Sequence, residues 1–149
     1  MNKEFLKLAV EQAQKSFNEG NFPAGAVIVK NGEVIDRDIS GTFPHIHHHA
    51  ESKLVDKVMV KENKQLDEYE IYTSMASCMM CTGKIYWSGI RRVYYILGQD
   101  DVDISLCYET SLTTDELKAK LNHDIVFIQD KTYFDEVLKI YKLWESKIK

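Results

Sequence analysis

Three cysteines in 149 residues are too few, and too unevenly placed, to form a disulfide framework. A close cysteine pair in a chain that is not stapled by disulfides points to metal or redox chemistry instead. No apolar run approaches the roughly 18–20 residues needed to span a bilayer. The opening stretch, MNKEFLKLAVEQAQKSF, carries Glu4 and Glu11 and has no long apolar segment. It does not read as a signal peptide, so the cytoplasm is the expected location and no membrane partner is expected. Basic excess is lacking too: the net charge is −4, and Arg91 and Arg92 are the only adjacent arginines. That argues against a large nucleic-acid footprint, which needs a basic patch to meet the phosphates. Repeats, low-complexity tracts and long linkers are missing as well, so residues 1–149 read as one domain with a single sizeable core.

What is present alternates in a regular order. Phe5, Leu6, Ala9, Val10, Ala13 and Phe17 recur at helical spacing, and Gly20 follows as a stop. Residues 24–29 and 33–36 flank Asn31-Gly32, a strong hairpin signal. After a loop rich in Gly, Pro and His, a second helix is expected from about His48 or His49, with Leu54, Val55, Val58 and Met59 facing inward. Strands are expected at 69–73, 92–96 and 125–128, and helices at 78–88, at 113–121 and from about Tyr133 onward. The order α-β-β-α-β-α-β-α-β-α implies an α/β fold whose second half makes parallel connections, with helices on the sheet's faces. Sites in such sheets lie near the carboxyl ends of strands and the N-termini of helices.

Two short motifs fall at those places. HIHHHAE spans His45 to Glu51, and SCMMC spans Ser77 to Cys81. Cys78 and Cys81 share one face of a helix start, where the helix dipole favours the metal-binding thiolate. On its own, Cys-x-x-Cys could be a redox pair, half of a structural zinc knuckle, or two buried thiols. A Cys₄ site is excluded, because Cys107 is the only other cysteine. His49, at the start of the other helix, is the natural third ligand, which leaves one coordination position open. Glu51 would then sit off the metal, beside bound water. The other three histidines of the run, His45, His47 and His48, lack this combination.

His49-Ala50-Glu51 followed by Cys78-Met79-Met80-Cys81 resembles the zinc-dependent cytidine deaminase superfamily. FPAGAVIVKNGEVI and MCTGKIYWSGIRRVYY resemble the same family's first hairpin and its metal helix with the following strand. The resemblance implies a three-layer α/β/α fold with a five-stranded mixed sheet, a Zn²⁺ cofactor, and commonly a homodimer. It implies hydrolytic deamination of a nucleobase or nucleoside: water activated by zinc attacks the ring carbon bearing the amine, and Glu51 shuttles the protons. The string Ile85-Tyr86-Trp87 is most similar to bacterial guanine deaminases, so a guanine-like purine is the preferred substrate. A tRNA adenosine deaminase or a cytosine or cytidine deaminase is the alternative. A zinc-binding module that has lost catalysis is a reading of a different class.

The implied substrate contacts are Ser40, Ala50, Trp87, Glu109 and Trp144. Ser40 stands where the family commonly has an asparagine, and Ser77 where it commonly has a proline. Ser77 is expected to cap the metal helix instead. Glu109 is expected to accept from the N1–H and 2-amino donors of guanine.

Overall fold

A computed structural model describes residues 2–149 of the chain. Helix α1 (Asn2–Asn18) leads into strands β1 (Gly25–Lys30) and β2 (Glu33–Ile39). Helix α2 (Ala50–Glu62), strand β3 (Tyr69–Met75), helix α3 (Met79–Ser88) and strand β4 (Arg92–Leu97) follow. The remainder holds a 3₁₀ turn (Gln99–Asp101), two short helices, α4 (Ile104–Cys107) and α5 (Thr114–Lys120), strand β5 (Val126–Gln129) and helix α6 (Phe134–Ile148). The expected order is recovered. The additions are the 3₁₀ turn and α4, pieces too short to show any hydrophobic period.

The hairpin turns where Asn31-Gly32 predicts. Both residues take positive φ, 52° and 76°, as a type I′ turn requires. Pairing runs from Lys30 opposite Glu33 to Gly25 opposite Ile39, with a bulge beside Ile28 and Val29. Strand β1 also pairs antiparallel with β3, whereas β3, β4 and β5 run parallel, giving the order β2-β1-β3-β4-β5. The parallel pairing is the one that the alternating strands and helices imply.

Alternate strand residues feed two cores. Ala26, Ile28, Ile71 and Val93 pack with Leu54, Val55 and Val58 of α2 and Ile85 of α3. Val27, Val29, Tyr72, Tyr94 and Ile96 face the other way, onto Phe5, Leu6 and Ala9 of α1 and Val137 and Tyr141 of α6. The result is helix–sheet–helix in three layers. Among the described residues, no helix is long and apolar enough to cross a membrane.

Candidate active site

The carboxyl end of β3 runs straight into Ser77 and Cys78. The next parallel strand holds that junction in place, with Ala76 N–H donating to the Leu97 carbonyl at 2.7 Å. Cys78 is itself the N-cap of α3, in an extended conformation, and its sulfur accepts the Cys81 N–H at 3.4 Å. The cap is therefore one residue later than the serine expected to supply it. Ser77 lies before the cap, fully buried, and its hydroxyl makes no hydrogen bond among the described residues.

His49 is the N-cap of α2 and makes no side-chain cap bond. Its ring turns to the cysteines instead. His49 Nδ1 lies 3.3 Å from Cys78 Sγ and 3.4 Å from Cys81 Sγ. One nitrogen and two sulfurs around a tetrahedral Zn²⁺, at bond lengths near 2.0–2.1 and 2.3 Å, would be separated by roughly 3.5 Å. The two nitrogen–sulfur distances thus fit zinc, and His49, Cys78 and Cys81 are positioned to bind it.

Electrostatics favour the same outcome. The Cys78 thiol is pulled down to about 6, first because the Cys81 thiol bonds to its sulfur and further by His49. Cys81, the donor of that pair and buried, is pushed up. His49 is raised to about 9, chiefly by its bond to Cys78. The shifts favour the thiolate at Cys78, whereas His49 and Cys81 hold their protons more tightly. Zinc takes all three ligands deprotonated, so binding it releases protons.

Glu51 is the second residue of α2 and is buried. Burial pushes its carboxyl up to about 7, and the neighbouring Cys78 charge acts in the same direction. The His49 charge and the Glu51 backbone N–H favour the ionised form, but more weakly. A carboxyl poised near neutrality can both take and give a proton.

A cavity of about 350 Å³ opens over this floor, with His49, Glu51 and Cys78 at its base. Ser40 and Trp144 line it, as expected, and Phe22 packs edge-on against Trp144 at 4.7 Å. Three expected contacts are not among its lining residues. Ala50 is buried in the core beneath α2. Trp87 is 78% exposed on α3 and borders a separate surface groove with His47, His48 and Lys84. The helical turn that buries Ile85 carries Trp87 outward. Glu109 follows Tyr108, which does line the cavity, but its own carboxylate accepts the Met80 N–H at 3.3 Å, at the start of α3.

Two residues that sequence reasoning passed over take places in the wall. Tyr108 lines it and is anchored by its hydroxyl, which donates to the Ala76 carbonyl at 2.7 Å. Asn21 lines it too, and its buried side-chain amide donates to the Ser40 carbonyl at 3.2 Å. Asn21 lies just past the Gly20 stop, in a loop with no periodicity to single it out.

Residues 1–97 match the family model described as the cytidine and deoxycytidylate deaminase zinc-binding region. The chain belongs to that family. Among curated proteins, a probable cytosine deaminase of Schizosaccharomyces pombe is 31% identical over 100 residues, covering 66% of this chain and 61% of that protein. A guanine deaminase of Bacillus subtilis is 40% identical over 106 residues, 68% of each chain. The solved structure of guanine deaminase from Bacillus subtilis superposes with a TM-score of 0.66 at 28% identity, covering 97% of this chain and 93% of that one. The fold and the zinc ligands of this deaminase family member therefore agree with the resemblance its motifs carry.

Proposed function

We propose that this protein hydrolyses the exocyclic amine of a small nucleobase or nucleoside, with a guanine-like purine preferred, and releases ammonia. The observation that carries the reading is Glu51: a buried carboxyl beside a three-ligand zinc site, lining the same cavity. Metal storage alone has no use for that acid, and a structural zinc site has four protein ligands. Zn²⁺ held by His49, Cys78 and Cys81 supplies a Lewis acid that makes water a nucleophile at neutral pH. Glu51 would take one proton from the attacking water and pass it to the ring nitrogen, then carry the second proton, from the hydroxyl added to the ring carbon, to the amine, which leaves as ammonia.

The cavity walls orient the ring. At about 350 Å³, the cavity is at the small end of ligand sites, which suits a base or nucleoside better than a nucleotide. Phe22, Tyr108 and Trp144 offer aromatic surface to a planar ring. Asn21 supplies an amide beside Ser40. The 40% identity to a guanine deaminase supports the same order of substrates.

An ammonia-release screen of the zinc-loaded protein against guanine, cytosine, adenine and their nucleosides tests the proposal. Turnover is expected, with guanine fastest. Silence across the panel with zinc demonstrably bound would overturn it in favour of a non-catalytic zinc module or an RNA substrate.

A further inference from the structure

Three histidines of the run remain unused by this site. His45, His47 and His48 are exposed, yet each places a ring nitrogen within 4.8 Å of the other two. The rings of His45 and His48 stack at 5.4 Å and 12°, His47 lies 4.1 Å from His48, and His45 and His47 are 6.0 Å apart. Exposed imidazoles have no hydrophobic reason to gather, and here the backbone gathers them. His45 N–H donates to the Thr42 carbonyl at 2.8 Å, His48 N–H to the His45 carbonyl at 3.0 Å, and Gly41 N–H to the His48 carbonyl at 2.7 Å. The segment is two successive turns closed on themselves. Gly41 is needed for the closure, since a Cβ there would lie 2.7 Å from His48 Cβ and 2.8 Å from the His45 carbonyl.

We propose that His45, His47 and His48 form a second metal site, distinct from His49, Cys78 and Cys81, for a divalent transition ion of the imidazole-binding class, Zn²⁺ first. Hard ions such as Ca²⁺ and Mg²⁺ are a poor match, because they take oxygen ligands and the cluster offers only nitrogen. Around zinc the three nitrogens would close to roughly 3.3 Å of one another, a shift that exposed side chains can make by rotamer changes alone. Water completes the coordination. The site binds more weakly than the first, because no thiolate neutralises the ion. Asp38 and Asp56 border the adjoining groove, but so do Lys53, Lys57 and Lys84, which pair with those carboxylates.

The site has a consequence for the cavity. Phe43 and Ile46 belong to the same turns and line the cavity. An ion that locks the three imidazoles also fixes this wall, coupling metal supply to substrate entry. The coupling rests on the deaminase reading; the metal count does not.

The experiment is a titration of the zinc-loaded protein, cleared of loosely held metal by desalting, with Zn²⁺ alone, read by calorimetry. The wild type is expected to take up one further equivalent. The H45A/H47A double variant should take up none while keeping its first zinc, since His49 and the cysteines are untouched. Amide exchange at residues 42–48 should slow on zinc addition in the wild type only. Absence of the further equivalent in the wild type, or its persistence in the double variant, would overturn the site. If the equivalent binds but the substrate screen is silent, the reading of the cavity falls and the second site stands.

Discussion

Glu51 has two opposed consequences for the protein that holds it. Its carboxyl is raised from the ordinary carboxylate range to about 7 by burial. A folded-state value above the unfolded one means that folding favours the protonated form. The cost of the charge is therefore absent below about 4.5, grows as pH rises to about 7, and stays constant above that. Glu51→Gln removes that charge while keeping the shape. In the metal-free protein above pH 7, the variant should be more stable than wild type, by at most about 3 kcal/mol, a limit set by the size of the shift. Urea unfolding at pH 5 and pH 8 checks this: the advantage should appear at pH 8 and shrink at pH 5. The same variant should still bind zinc, yet lose about 10²–10⁴ of turnover, the usual worth of a positioned proton carrier. A variant that binds metal and turns over normally would remove Glu51 from the chemistry. The metal ligands and Glu51 were legible from the sequence because each pair sits within one helical turn. Asn21 and Tyr108 were not, because only the fold brings residues 21, 40, 76 and 108 around one space.

Among the elements, the ones read correctly carry local signals. Asn31-Gly32 dictates its turn through the positive φ of both residues. The α1 and α6 stripes dictate which face is buried, and Gly89 ends α3 in the left-handed region at φ 97°. Trp87 lies outside the cavity lining, because a motif does not say which side of its helix faces the cavity. The contact between α1 and β1 was hidden for a different reason: it depends on a side chain that is missing. Gly25 opens β1 directly beneath α1, where an added Cβ would meet Gln12 and come within 2.6 Å of Ala13 N and 2.7 Å of the Ala9 carbonyl. Those are mainly backbone atoms of a helix and cannot swing aside. Gly25→Ala should therefore force α1 off the sheet and destabilise by about 1–3 kcal/mol or more, as overpacking does. Thermal unfolding would read it, and a melting point equal to wild type would show that α1 is loosely held.

For the whole molecule, the three layers were predictable from the alternation of strands and helices, but the way the metal closes them was not. His49 caps α2 and Cys78 caps α3, so one ion would join the N-terminal ends of two neighbouring helices on the same face of the sheet. The His49 Nδ1–Cys78 Sγ contact at 3.3 Å already joins them. Zinc binds the folded arrangement and not the unfolded chain, so it stabilises by mass action. Free zinc at a hundredfold excess over its dissociation constant contributes about 2.7 kcal/mol, which for a domain near this size corresponds to roughly 5–10 °C in melting temperature. Chelation should lower the midpoint by that order, and restored zinc should bring it back. The H45A/H47A variant should keep most of this loss on chelation, because the weaker surface site adds less by mass action. A chain whose midpoint ignores chelation would place the strength of the α2–α3 contact in the apolar core of Leu54, Val58 and Ile85 alone. The ion would then serve chemistry without serving the fold.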